Sequence, residues 1–108
     1  METKWLKTFI IAASYENFRQ ASEDLFLTQP AVSKHIQRLQ QELGDELFEK
    51  KGKYIVLTEA GRFFLPHAQK MVRAYEEGVG NFRLWKQGYN RKLTISAAPQ
   101  KGASALPC

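Results

Sequence analysis

The chain has 108 residues, 44% of them apolar and 25% charged, with a net charge of +5. That balance suits one modest soluble core plus an appendage and argues against disorder. Its longest apolar run, Phe9-Ile10-Ile11-Ala12-Ala13, is far short of the ~20 residues that span a bilayer, and Met1-Glu2-Thr3-Lys4 opens no leader pattern, so the expectation is a cytoplasmic protein without a membrane segment. The single cysteine, Cys108, cannot form an internal disulfide or a cysteine-built metal site; no metal and no cofactor are expected.

Residues 2–14 place Trp5, Leu6, Phe9, Ile10 and Ala13 on one stripe at helical spacing, which predicts a first helix. Tyr15-Glu16-Asn17 breaks the pattern. A short helix follows, from Phe18 to about Phe26, with Asn17 as its N-cap and Ala21 and Leu25 turned inward. After a tight turn at Leu27-Thr28, Thr28 can cap a third helix that tolerates Pro30 in its first turn. Val32, Ile36, Leu39 and Leu43 form the buried stripe of this helix, and Gly44 closes it. Its opposite face carries Pro30, Lys34, Gln37, Arg38 and Gln41, flanked by Ser33, and holds no carboxylate.

Leu47-Phe48-Glu49-Lys50 and Tyr54-Ile55-Val56-Leu57 read as two short strands joined by Lys51-Gly52-Lys53. Thr58 then caps a long helix, with Glu59 well placed in its positive first turn. This helix extends almost to Gly88, about 30 residues and so ~45 Å. Pro66 predicts a local bend and Gly78 and Gly80 a weaker distal part. Beyond it, Leu93-Thr94-Ile95-Ser96-Ala97 alternates like a strand.

The pattern predicts a mainly α fold: a winged helix-turn-helix of three helices plus a two-stranded wing, followed by a long dimerisation helix. A helix held proud of its domain by a tight turn can enter the major groove of double-stranded DNA. Gln29, Ser33, Lys34 and Gln37 have side chains that pair with base edges, while Thr28 and Arg38 suit phosphate. Lys50, Lys51 and Lys53 on the hairpin can follow the backbone or probe a narrow minor groove. Bulk charge alone would point elsewhere: residues 1–58 carry eight charges of each sign, and the excess lies in 59–108. Trp5, Phe9, Phe18, Leu25, Val32, Ile36, Leu39 and Phe48 read as core.

In the long helix, Phe64, Ala68, Met71, Tyr75, Val79 and Phe82 form an apolar stripe that would be exposed in a monomer. Burial against a second copy is the expected use, and packing back on its own domain is the alternative. His35, beside the buried stripe of the third helix, and His67, a surface or dimer-contact residue next to Pro66, have no neighbours in a nucleophile or metal spacing. An enzyme is not expected.

The runs Asn17-Phe18-Arg19-Gln20-Ala21-Ser22-Glu23-Asp24-Leu25, Thr28-Gln29-Pro30-Ala31-Val32-Ser33-Lys34, Leu39 to Gly44, Leu47-Phe48 and Leu57-Thr58-Glu59-Ala60-Gly61 together resemble a LysR-type transcriptional regulator. The resemblance covers about residues 2–97. It implies a DNA-binding domain over 1–58, a linker helix over 59–87 that dimerises antiparallel, and over 88–108 a hinge and the start of an effector domain, with the small-molecule inducer site absent from these residues. It also implies DNA contacts from Gln29, Pro30, Ser33, Lys34, Gln37, Arg38 and the wing, on an interrupted dyad operator bound by a homodimer or homotetramer. Lys50 and Gln40 depart from the commonest family pattern, which has Arg and Glu there. A different class of role is a truncated, dominant-negative partner that heterodimerises with a full-length regulator.

Overall fold

A computed structural model describes residues 1–88. Its elements are α1 (Thr3–Ser14), α2 (Phe18–Leu25), α3 (Gln29–Leu43), β1 (Phe48–Lys51), β2 (Tyr54–Leu57) and α4 (Glu59–Lys86). The strand expected at Leu93–Ala97 lies outside the described residues. The chain divides into two compact units, Met1–Ala74 and Tyr75 onward.

Local chemistry sets the helix ends. Asn17 Oδ1 accepts from the amide of Gln20 at 2.7 Å, and Thr28 Oγ1 accepts from that of Ala31 at 3.2 Å. Each satisfies an amide that the first turn would leave bare. Gly44 ends α3 at φ +78°. The second helix stops one residue earlier than expected, because Phe26 leaves it in the left-handed region (φ 57°, ψ 41°) with its ring in solvent. This residue turns the chain: the Leu27 amide reaches back to the Ser22 carbonyl at 2.9 Å, and α3 starts two residues later.

In the first unit the core is drawn from every element. Leu6, Phe9 and Ala12 of α1 meet Ala21 of α2, Val32, Ile36 and Leu39 of α3, Leu47 and Phe48 at the root of the wing, and Ala68 and Val72 of α4. Trp5, Phe18 and Leu25 are half-buried against it. Phe48 stands edge-on to Phe9 and Phe18, both at 5.5 Å, and Phe9 also meets Phe64 at 5.8 Å. Each buried Phe is worth about 1.5–3 kcal/mol, so this ring cluster is a large part of what joins wing to helices. Leu43 corrects the expected stripe. It is 38% exposed, since α3 runs past the edge of the core there.

The strands pair antiparallel from Phe48↔Leu57 to Lys51↔Tyr54. Lys51 therefore belongs to β1 rather than to the turn, which is Gly52-Lys53 alone, with Gly52 at φ +62°. The amide of Ile55 donates to the Glu16 carbonyl at 3.1 Å, fastening the hairpin to the turn before α2.

The long helix continues through Pro66. Its expected dimer stripe is divided. Ala68 is wholly buried in the core of its own unit, and Phe64 is half-buried against that core with its ring 5.8 Å from that of Phe9. Met71 is exposed in the first unit, as are Tyr75 and Phe82 in the second, where Val79 is half-exposed.

Candidate nucleic-acid interface

The pair α2–turn–α3 presents one face of α3 outward. Gln29, Pro30, Ser33, Lys34, Gln37 and Arg38 are all exposed on it, and Thr28 is exposed at its start. Among the described residues none of the side chains from Gln29 to Arg38 on this face has a hydrogen bond or ion pair within the chain. By contrast, Arg19 pairs with Glu23 at 3.0 Å, and Arg62 donates to the Leu57 carbonyl at 3.0 Å. The outer face of α3 thus keeps two cations, two amides and a hydroxyl uncommitted.

The wing cations divide by position. Lys50 lines a cleft of about 220 Å³ between α3 and the hairpin, with Ser33, Gln37, Gln40 and Glu49 on its rim and Phe18, Ile36, Phe48 and Ile55 beneath. Lys51 and Lys53 are exposed at the hairpin end, away from that cleft. The sequence-expected residues therefore form two groups, a ridge on α3 and a cationic hairpin tip. Lys50 stands between them.

Gln40 is the residue that spacing alone overlooked as a participant. Its Oε1 accepts from the amides of Leu47 at 2.8 Å and Phe48 at 3.4 Å. An uncharged acceptor on α3 thereby seats Leu47 and the first residue of β1, which a carboxylate in the same place could equally do. On the other side Thr58 donates to the Glu46 carbonyl at 2.6 Å and caps α4 through the Gly61 amide at 3.0 Å. The wing root is held from both flanks, so the hairpin tip keeps a defined position relative to α3. His35 is half-buried and bonded through Nδ1 to Thr8 Oγ1 at 2.8 Å, whereas His67 is exposed with its ring 5.2 Å from Phe63. Among the described residues no cluster of three metal-ligating side chains occurs. No described helix is long and apolar enough to cross a membrane.

A helix pair joined by a tight turn, an uncommitted polar ridge and a basic two-stranded wing define a winged helix-turn-helix DNA-binding protein. Residues 3–62 match the family model for bacterial regulatory helix-turn-helix proteins of the lysR family, and the chain belongs to that family of transcriptional regulators. It is 49% identical to an uncharacterized HTH-type transcriptional regulator, YxjO, and 43% identical to the HTH-type transcriptional regulator CitR, both of Bacillus subtilis. Each match covers 99% of this chain and 37% of the relative. The chain spans little more than a third of the length of these curated relatives. Among solved structures, Vibrio fischeri DarR in complex with DNA matches with a TM-score of 0.77 and 38% identity, covering 81% of this chain and 30% of that one. The DNA-binding domain of BenM on catB site 1 DNA matches with a TM-score of 0.75 and 29% identity, over 82% and 96% of the two chains. The expected family and winged-helix fold are borne out.

Proposed function

We propose that this chain reads a duplex operator with the N-terminal half of α3 in the major groove and the wing on the adjacent backbone. Gln29, Ser33, Lys34 and Gln37 contact base edges, Thr28, Pro30 and Arg38 set the register, and Lys50, Lys51 and Lys53 neutralise phosphates. The carrying observation is the unpaired state of that face: uncommitted cations and amides lose no internal bond when they turn to DNA. Similarity to proteins solved on DNA supports the same reading.

Recognition is dimeric in this proposal, on two half-sites of an interrupted dyad. Tyr75, Phe82, Leu84 and Trp85 are exposed and Val79 is half-exposed in the second unit. An apolar set of that extent is uncommon on soluble monomers and is ordinarily buried against a symmetric copy.

Selection of bound duplexes from a random pool tests this reading, through the half-site and spacing recovered. Ser33→Ala should lose about 1–3 kcal/mol of discrimination between the selected and a scrambled site. Lys53→Ala should weaken both equally and reduce the slope of log affinity against log salt by about one. Identical behaviour of the two variants on both duplexes would refute the assignment of roles.

A further inference from the structure

The N-terminal turn of α1 and the flank of α3 enclose a small cleft of about 230 Å³, lined by Glu2, Lys4, Trp5, Lys34, His35 and Arg38. We propose that this cleft seats a DNA backbone phosphate, with Lys4 and His35 as contacts from outside the reading face and with a proton taken up on His35 as the phosphate arrives. The inference rests on α3 lying along DNA as set out above. Lys34 and Arg38 belong both to that face and to the cleft, so a strand passing over them also passes its mouth.

The charges favour an anion. Lys4, Lys34 and Arg38 face one carboxylate, Glu2, whose contact with Lys4 at 3.4 Å is an exposed pair that a phosphate can displace at little cost. His35 is the titratable member of the group. Its Nδ1 is tied to the buried Thr8 hydroxyl at 2.8 Å. In the neutral Nε2–H tautomer that hydroxyl donates to Nδ1, and Nε2–H is the ring's remaining donor. On protonation the hydroxyl rotates and accepts from Nδ1–H instead, because a hydroxyl can play either part. The ring therefore keeps its tether in both charge states.

In the free protein, burial and then the nearby Lys4 hold this imidazole below its usual value, with Glu2 opposing. This favours the neutral ring in the free protein. A phosphate held between the cations reverses the balance and raises the ring's pKa in the complex. By linkage, binding is then tighter below the bound-state value, and the advantage is lost as pH rises through it.

The test is the titration of the His35 ring by NMR in the full chain, free and with the selected operator duplex, the signal being assigned by its absence from His35→Gln. A rise of one unit on duplex binding corresponds to about tenfold tighter binding once the pH lies below the free-state value, so affinity should improve progressively as pH is lowered from about 8. His35→Gln should flatten the profile, His67→Gln should keep it, and Lys4→Gln should lower the salt slope by about one. Two outcomes overturn the inference while leaving the operator-binding reading intact. One is an unmoved His35 titration in a complex that still discriminates its site. The other is a His35 shift with millimolar inorganic phosphate but none with duplex. Failure to bind any duplex selectively at any pH would overturn both.

Discussion

Gly61→Ala and Gly78→Ala are the same substitution in the same helix, and the structure predicts opposite signs. In an open helix interior the added methyl stabilises by about 0.5–1 kcal/mol, because glycine loses more backbone freedom on folding. At Gly78 no atom lies within 4 Å of the new Cβ, so that gain should appear. At Gly61 the Cβ would overlap the Leu47 carbonyl oxygen and approach Leu57 Cδ2 to 2.8 Å. The carbonyl cannot easily retreat. It accepts from the Thr58 amide at 3.0 Å, and the amide of the same residue is held by Gln40. Overpacking of this kind costs about 1–3 kcal/mol, and loss of the Thr58 bond adds about 1 kcal/mol. The clash outweighs the propensity gain, for a net loss of about 1–3 kcal/mol. Urea unfolding followed by circular dichroism, at one fixed protein concentration because association shifts apparent stability, measures both variants. Gly61→Ala as stable as the wild type would refute the close approach of α4 to the wing root.

Gln40→Leu should destabilise by about 1–3 kcal/mol by leaving the Leu47 amide bare, whereas Gln40→Glu should hold the strand. In DNA titrations Lys53→Ala should then cost less when combined with Gln40→Leu than alone, the wing having lost its seat. Phe26→Asn should raise the unfolding free energy by about 1 kcal/mol, since Asn adopts positive φ more readily and the Phe ring is 95% exposed; a loss in thermal melts would refute the solvent-facing, contact-free position of the ring. For His35 the native pKa is lowered, so the unfolded chain binds the proton first and stability should fall as pH drops from the unfolded value of 6.5 toward the native one. His35→Gln should remove that part of the slope in denaturant melts across the same range.

Signals that act within a few residues were legible in the sequence. Asn17, Thr28 and Thr58 were recognisable as caps because a cap bonds to an amide three residues on, and Gly44 as a stop because its positive φ is a property of one residue. The period of Val32, Ile36 and Leu39 turned the remaining face of α3 outward, so the candidate interface was available from spacing alone.

Tertiary structure decided what depends on which elements meet. Phe64 and Ala68 share a helical period with Tyr75 and Phe82, and only the position of the core beneath the start of α4 turned the first two inward. Leu43 has the same period as Leu39 but lies beyond the core's edge. Gln40 seats a strand seven and eight residues away, Gly61 makes room for the Leu47 carbonyl, and Thr8 tethers a histidine 27 positions on. A hydrophobic period states that a face is buried without naming its partner, and a polar side chain's bonds across the fold leave no mark in its neighbours.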